Sequence, residues 1–376
     1  MYHHDSRDLA EATSEAAKTM KDKLHKEIEK AKSQGQLAMD KVLSEIPRDR
    51  YRMMSSTKFD VVDQNKLRVL YRNDEPETVH VFALAKICEA IGIPRDTISK
   101  LLQRYEDGDN WGPDLAVDIL NKHFAHAPRG QDRRMIRSVQ QETRGFLSDS
   151  YARLHPGALI DTFAKECQKY GLLPYGGHAG ATKFVIRATL DRVIEPVPNE
   201  VLGIGVVFKE SPFGDGASEL SLQLERMWCT NKAISTSELR KVHLGSKAAL
   251  DVDEAEEAYR SATNSMCAEM RRSMRDLFAP ESLHALADGV RRANEAKVSH
   301  DKFEAFLKKH LTREDVDAIK EKYRSTDITD LPAGDTWWRA SNAISWYAGQ
   351  KSSAEQAYDL QKLAGLALQA GTKNRA

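Results

Sequence analysis

Met135-Ile136-Arg137-Ser138-Val139-Gln140-Gln141-Glu142-Thr143-Arg144-Gly145-Phe146-Leu147-Ser148-Asp149-Ser150-Tyr151-Ala152-Arg153-Leu154 is the stretch on which the fold turns. It holds two short strand-like runs, residues 135–140 and 144–147, on either side of a polar turn. A Ser-Asp-Ser-Tyr corner follows. Pro156 then opens a helix, where its missing N–H is no loss. The chain before this stretch reads as mostly helical, and the longest strand runs come after it.

Upstream, residues 57–72 predict a β-hairpin. Phe59, Val61 and Val62 precede Asp63-Gln64-Asn65, and Leu67, Val69 and Tyr71 alternate after it. Residues 79–105 have the spacing of a helix-turn-helix, with Gly92 at the turn and Pro94 opening the second helix. The second helix offers Arg95, Asp96, Thr97, Ser99 and Lys100, a mixed set, so packing is the stronger reading and DNA readout the weaker. His123 and His126 share a helix face, but no third metal ligand is near in sequence, and no metal or cofactor site is expected. Residues 1–45 are charge-rich, with a thin apolar stripe of Met20, Leu24, Ile28 and Ala31. They read as a solvated helical arm, with coiled-coil oligomerisation as the alternative.

Downstream, Gly171 and Pro174 end the helix that Pro156 opens. The run Tyr175-Gly176-Gly177-His178-Ala179-Gly180 lacks the lysine and hydroxyl of a phosphate-binding loop and reads as a flexible connection. Phe184, Ile186, Ala188 and Leu190 alternate, and Val201, Ile204, Val206, Val207 and Phe208 form the next run. Leu220, Leu222 and Leu224 alternate with Ser221, Gln223 and Glu225, the pattern of a half-buried strand. Gly203-Ile204-Gly205 lacks the third glycine and following helix of a dinucleotide site. From about residue 254 the chain is helical, and Trp337, Ile344 and Tyr347, flanked by Trp338 and Trp346, form a face suited to docking on a sheet. The fold class is α+β: a mostly antiparallel sheet flanked by helices, with a helical N-terminal arm and a helical C-terminal region. The expected divisions are a charged arm over residues 1–50, a core domain over 51–250 and a helical region over 251–376, docked on the core at least in part.

The 376 residues carry a formal net charge of zero, which argues against a strongly electrostatic nucleic-acid or membrane-surface binder. Cys88, Cys167, Cys229 and Cys267 are widely spaced and read as thiols in a reducing compartment. No run approaches the roughly 18 apolar residues of a membrane span, and the N-terminus lacks a secretory apolar core. A cytoplasmic protein with no membrane partner is expected. Around the organising stretch, Arg129, Arg133, Arg134, Arg137, Arg144 and Arg153 outnumber Asp132, Glu142 and Asp149. Arginines on exposed strand faces would track phosphates. The plainer alternative is a sheet edge kept soluble by charge.

Three segments together resemble a phage- and plasmid-borne family known as domain of unknown function 932. They are Gly92-Ile93-Pro94, then Arg144 with Ser148-Asp149-Ser150-Tyr151, then Arg226-Met227-Trp228-Cys229-Thr230-Asn231. Asn342-Ala343-Ile344 with Tyr347, and Leu363-Ala364-Gly365, are similar to the family's C-terminal helices. The resemblance covers roughly residues 55–370, and Lys232 stands where the family often has glycine. It implies carriage on a mobile element and no established activity. It marks Ser148, Asp149, Tyr151, Arg226, Cys229, Thr230, Asn231 and Asn342 as motif residues, each of which also has a structural reading. No nucleophile has an evident base partner, so no catalytic residue is named.

The resulting expectation is an accessory protein of a phage or plasmid in a bacterial host. It would bind nucleic acid, single-stranded DNA by preference, through Arg133, Arg134, Arg137, Arg144 and Arg153. The alternative is a non-enzymatic host-interaction or structural protein working through its helical arms, with a homo-oligomer formed by the N-terminal arm.

Overall fold

The computed structural model describes residues 12–62, 66–71, 75–104, 110–127, 132–229, 231–235, 239–241, 252–326 and 330–373. The expected turn at Asp63-Gln64-Asn65 and the residues around Arg129 lie outside these. The fold is α+β, with mostly antiparallel strands, as the alternation of apolar residues implies. The strands make two sheets rather than one.

The first sheet contains β1 (Arg48–Met53), β2 (Thr57–Val62), β3 (Lys66–Tyr71), β4 (Glu77–Val79), β5 (Arg133–Val139) and β6 (Glu142–Ser148), in the order β1-β5-β6-β4-β3-β2. Only the β4–β6 pairing is parallel. The organising stretch is the β5–β6 hairpin. Its turn residues, Gln140 and Gln141, have φ of 48° and 63°, the doubly left-handed turn that matches strand twist. Ile136 pairs with Phe146 and faces α2 (Val81–Ile91), α3 (Arg95–Gln103) and α4 (Trp111–Ala125) in one apolar core. Phe124 links the two sides, with ring centres 5.8 Å from Phe146 and 4.8 Å from Phe59. The helix-turn-helix segment is therefore a packing unit. Gly92 turns it at φ 70°, and Ile98 of α3 points into this core.

The second sheet runs β11 (Asn231–Ile234), β10 (Ser218–Arg226), β9 (Glu200–Glu210), β8 (Phe184–Val197), β7 (Leu172–Ala179), with β12 (Leu239–Lys241) also on β10. Its apolar face, including Ile186, Val206, Phe208, Leu222 and Leu224, packs on the main core. Around that core lie α5 (Pro156–Lys169), α6 (Val252–Leu277), α7 (Pro280–Glu295), α8 (His300–Lys308), α9 (Arg313–Arg324), α10 (Trp337–Ala348) and α11 (Ala354–Lys373). Trp337 and Trp338 of α10 are buried in it. No described helix is long and apolar enough to cross a membrane.

The opposite face of this sheet is covered as well, and here the structure corrects two expectations. The charged N-terminal segment is not a solvated arm. It forms α1 (Glu15–Ser44), which lies across β7 and β8. Its thin stripe suffices because Ala17, Met20, Leu24 and Ile28 meet Tyr175, Val193, Val201 and Met227 in a closed cluster. Lys23 adds hydrogen bonds to the carbonyls of Met227 and Trp228, at 2.7 and 2.9 Å. The glycine-rich run after Pro174 is not a flexible connection but the body of β7. Its glycines let the helix approach: a Cβ on Gly177 would lie 3.2 Å from the Ala38 Cβ, and one on Gly35 3.3 Å from the Gly176 oxygen. The stripe expected to serve oligomerisation is thus occupied within the chain.

A docked helix and a free arm differ in stability. Leu24 is fully buried, so Leu24→Ala should lower the unfolding free energy by about 2–5 kcal/mol in a urea titration. A change under about 0.5 kcal/mol would mean that α1 does not pack on the sheet.

Candidate anion-binding cleft

The arginines expected to meet phosphate occupy three environments. Arg133 and Arg134 are partly exposed and lie over the rings of Tyr51 and Phe146, at 4.5 and 5.9 Å from the ring centres. Arg137 pairs with Gly145 across the hairpin, where a Cβ would crowd its own at 3.2 Å. It is buried, bonds Asp49 at 2.7 Å and donates to the Pro212 carbonyl. Burial, the largest influence, would lower its proton affinity, but the charge and hydrogen bond of Asp49, together with the nearby Tyr151 and Tyr259, leave it raised. Arg153 shares Asp49 at 3.2 Å and lies over Tyr259. Arg144 donates to Glu142 at 2.7 Å, Glu45 at 2.6 Å and the Ala181 carbonyl at 3.3 Å.

Arg137 and Arg144 therefore tie the first sheet to loops of the second, at Pro212 and Ala181, and Arg153 ties it to α6. They do not form an open phosphate groove with Arg133 and Arg134. Tyr151 belongs to the same junction. Its hydroxyl reaches the carbonyls of Ser211 and Pro212, each at 3.4 Å, and burial pushes its phenol up. The Ser148 and Ser150 hydroxyls are 3.2 Å apart at the corner, and Asp149 is exposed there.

Arg226, Cys229, Asn231 and Asn342 do come together. Arg226 grips Glu200 through two bonds, at 2.7 and 2.9 Å, and reaches the Cys229 sulfur at 3.5 Å. Cys229 Sγ and Asn231 Nδ2 both donate to the Asp330 carbonyl at 3.3 Å, and Asn231 also donates to the Asn342 carbonyl. Asn342 in turn donates to the Trp338 carbonyl at 2.9 Å, and the Trp338 indole donates to Glu200 at 3.2 Å. This closed ring ties β10 and β11 to α10. Burial pushes the Cys229 thiol up, which disfavours the reactive thiolate. Thr230 lies outside the described residues. Among the described residues no group of three His, Cys, Asp or Glu side chains is arranged to hold a metal.

The open chemistry is on the second sheet's polar face. Alternation along β10 predicts one buried face, yet Ser221, Gln223 and Glu225 are as buried as the leucines between them. α1 and α11 roof this face and leave a cleft of about 370 Å³ between them. Its floor carries three cations from separate strands: Arg187 on β8, Lys209 on β9 and Lys232 on β11.

Arg187 donates to the neutral amide oxygens of Gln223 and, at 2.8 Å, Gln361. Lys209 lies 5.0 Å from the Tyr358 ring centre. Neither makes an ion pair among the described residues. Lys232 lies over Tyr175 at 4.5 Å and is only loosely opposed by Glu225 at 3.9 Å. Glu225 accepts the Tyr175 hydroxyl at 2.7 Å. Desolvation lowers the proton affinity of Arg187 and Lys232 and raises that of Glu225. The buried Ser221 hydroxyl has no partner among the described residues.

Two backbone features face the same space. Tyr175 and Gly176 form a β-bulge opposite Arg187, with Gly176 at φ 95°. The first turn of α11, including Ala354 and Ala357, lines the cleft, so the helix's positive end is directed there.

Comparison with protein-family models, with curated proteins and with solved structures finds no match for this chain. The argument for the cleft accordingly rests on its own geometry. The signal in the sequence was the polar series Ser221, Gln223 and Glu225 on a central strand, with Arg187, Lys209 and Lys232 on its neighbours.

The two kinds of arginine can be told apart. Arg137→Met leaves Asp49 short of a partner in a buried junction and should cost about 3–5 kcal/mol in urea unfolding. Arg133→Ala, at a partly exposed site, should stay within about 0.5 kcal/mol. Equal effects would contradict the junction role of Arg137.

Proposed function

We propose that this protein is an accessory protein of a phage or plasmid that binds a phosphate-bearing ligand in the α1–α11 cleft. The observation that carries this reading is the set Arg187, Lys209 and Lys232: three cations on one helix-roofed sheet face, with no ion pair to two of them among the described residues. Partly desolvated cations without a closely bonded carboxylate favour an incoming anion, whose charge offsets their desolvation. The resemblance to a family carried on mobile elements supports the accessory role. That role favours nucleic acid, single-stranded by preference, as the source of the phosphate, in the cytoplasm of the bacterial host. In this reading the contact surface is the cleft, and the arginine hairpin is part of the frame that holds the two sheets together.

The test is fluorescence anisotropy with a labelled single-stranded oligonucleotide across a salt series. For single strands, each phosphate contact contributes about 0.7 to the slope of log affinity against log salt. Lys209→Ala should lower the slope by about that amount and weaken binding, while the double variant Arg133→Ala/Arg134→Ala should behave as wild type. Loss of binding in the double variant, with Lys209→Ala unchanged, would overturn the assignment to the cleft. No binding at low salt would remove nucleic acid as the ligand.

A further inference from the structure

We infer that the cleft takes its ligand as a sugar phosphate, with the phosphate on the floor cations and the sugar hydroxyls directed to carboxylates on the two roofing helices. The inference rests on the anion-binding reading above and adds to it the chemistry of the ligand's other end.

The cleft is polarised. The cations Arg187, Lys209 and Lys232 come from the sheet, whereas the roof carries Glu27 and Lys30 from α1 and Glu355 and Asp359 from α11. Glu27 and Asp359 make no ion pair among the described residues. Glu355 beside them is held by Lys183 at 3.1 Å. A bare anion would gain from the floor and be opposed by these carboxylates. A ligand that carries hydroxyl donors beyond its phosphate meets both surfaces, since an ionised carboxylate is an acceptor only.

Five cations and three carboxylates line the cleft, while Asp215 also holds Lys183 at 3.0 Å and Glu225 lies 3.9 Å from Lys232. The excess of cations in the lining favours a phosphate, and a neutral polyol body adds no charge against either surface. Size agrees: 370 Å³ is at the lower end of small-ligand sites, which run from about 300 to 1,000 Å³. One sugar phosphate unit is the scale of ligand that such a space encloses, and a duplex is not.

Isothermal titration of the full chain with inorganic phosphate, ribose and ribose 5-phosphate tests this, at fixed pH and ionic strength. Ribose 5-phosphate should bind at least about tenfold tighter than inorganic phosphate, the worth of roughly one good hydrogen bond to a charged group. Ribose alone should not bind measurably. Lys209→Ala should weaken both phosphates. Glu27→Gln and Asp359→Asn should bring ribose 5-phosphate toward the affinity of inorganic phosphate without weakening the latter. Unchanged melting temperatures in these variants separate lost binding from lost folding.

If inorganic phosphate binds and ribose 5-phosphate binds no tighter, the sugar assignment falls and the anion-binding reading stands. If neither binds, both fall. In a further arm, a 5′-phosphorylated ribo-oligonucleotide that binds tighter than ribose 5-phosphate assigns the sugar phosphate to a strand end. Weaker binding assigns it to a free metabolite.

Discussion

A charge taken out of water has to be matched, and most of this structure follows from how that is done. Arg137 would be costly between two sheets without Asp49, and Asp49 in turn holds Arg153. Arg50 meets Glu77 in the first sheet, where the Ser138 and Thr143 hydroxyls complete the carboxylate's shell at 2.5 and 2.7 Å. Arg339 on α10 is buried. It donates to the carbonyls of Tyr323, Pro332 and Ser325, so that loop ends close around it. Each of these sites fixes a register or a docking angle, because an alternative arrangement would strand a charge. The cleft stands apart from this pattern. Its floor groups are partly buried, and the contacts they make are to amides, rings and a carboxylate 3.9 Å away.

Much of the fold was legible because it rests on local periodicity. Alternation in Phe184, Ile186 and Ala188, or in Leu220, Leu222 and Leu224, assigns strands from their apolar side alone. Pro156 and Gly171 bracket α5 by backbone stereochemistry, and Gly171 has φ 68° at the helix end. The hidden part was the cover on the other face. A polar series along a strand says that it is not packed on hydrocarbon. It does not say whether water or a helix lies above it. The role of α1 was obscured in the same way. Four small or medium apolar side chains look too few to dock a helix of 30 residues, until Gly35, Gly176 and Gly177 bring the backbones together. The arginines were misjudged because residue type reveals a charge and not its partner. Glu45, Asp49 and Glu256 are far away in sequence from the arginines they pair with.

The motif residues carry a related lesson. Arg226, Cys229, Asn231 and Asn342 are linked by hydrogen bonds into the joint between the second sheet and α10, and Tyr151 sits in the joint between the sheets. A resemblance that rests on such positions speaks first about architecture. The cleft residues Lys209, Lys232 and Glu27 belong to no motif. Lys232 is informative here. It immediately follows the motif asparagine, at the position where the resembled family often has glycine, and it places a cation on the cleft floor.

The docking of α1 also has a temporal side. Lys23 bonds a carbonyl 204 residues further along, and His25 meets Asp191 across 166 residues. During synthesis the helix leaves the ribosome well before the strands it will cover, and its apolar stripe has no permanent cover until β8 and β9 exist. Contacts of such long range slow folding and leave adhesive surface open in the interval. The lysines and glutamates that crowd the rest of α1 then have a use unrelated to the native state. They keep the waiting helix dispersed in water, with only a narrow strip to shield, until the sheet arrives to receive it.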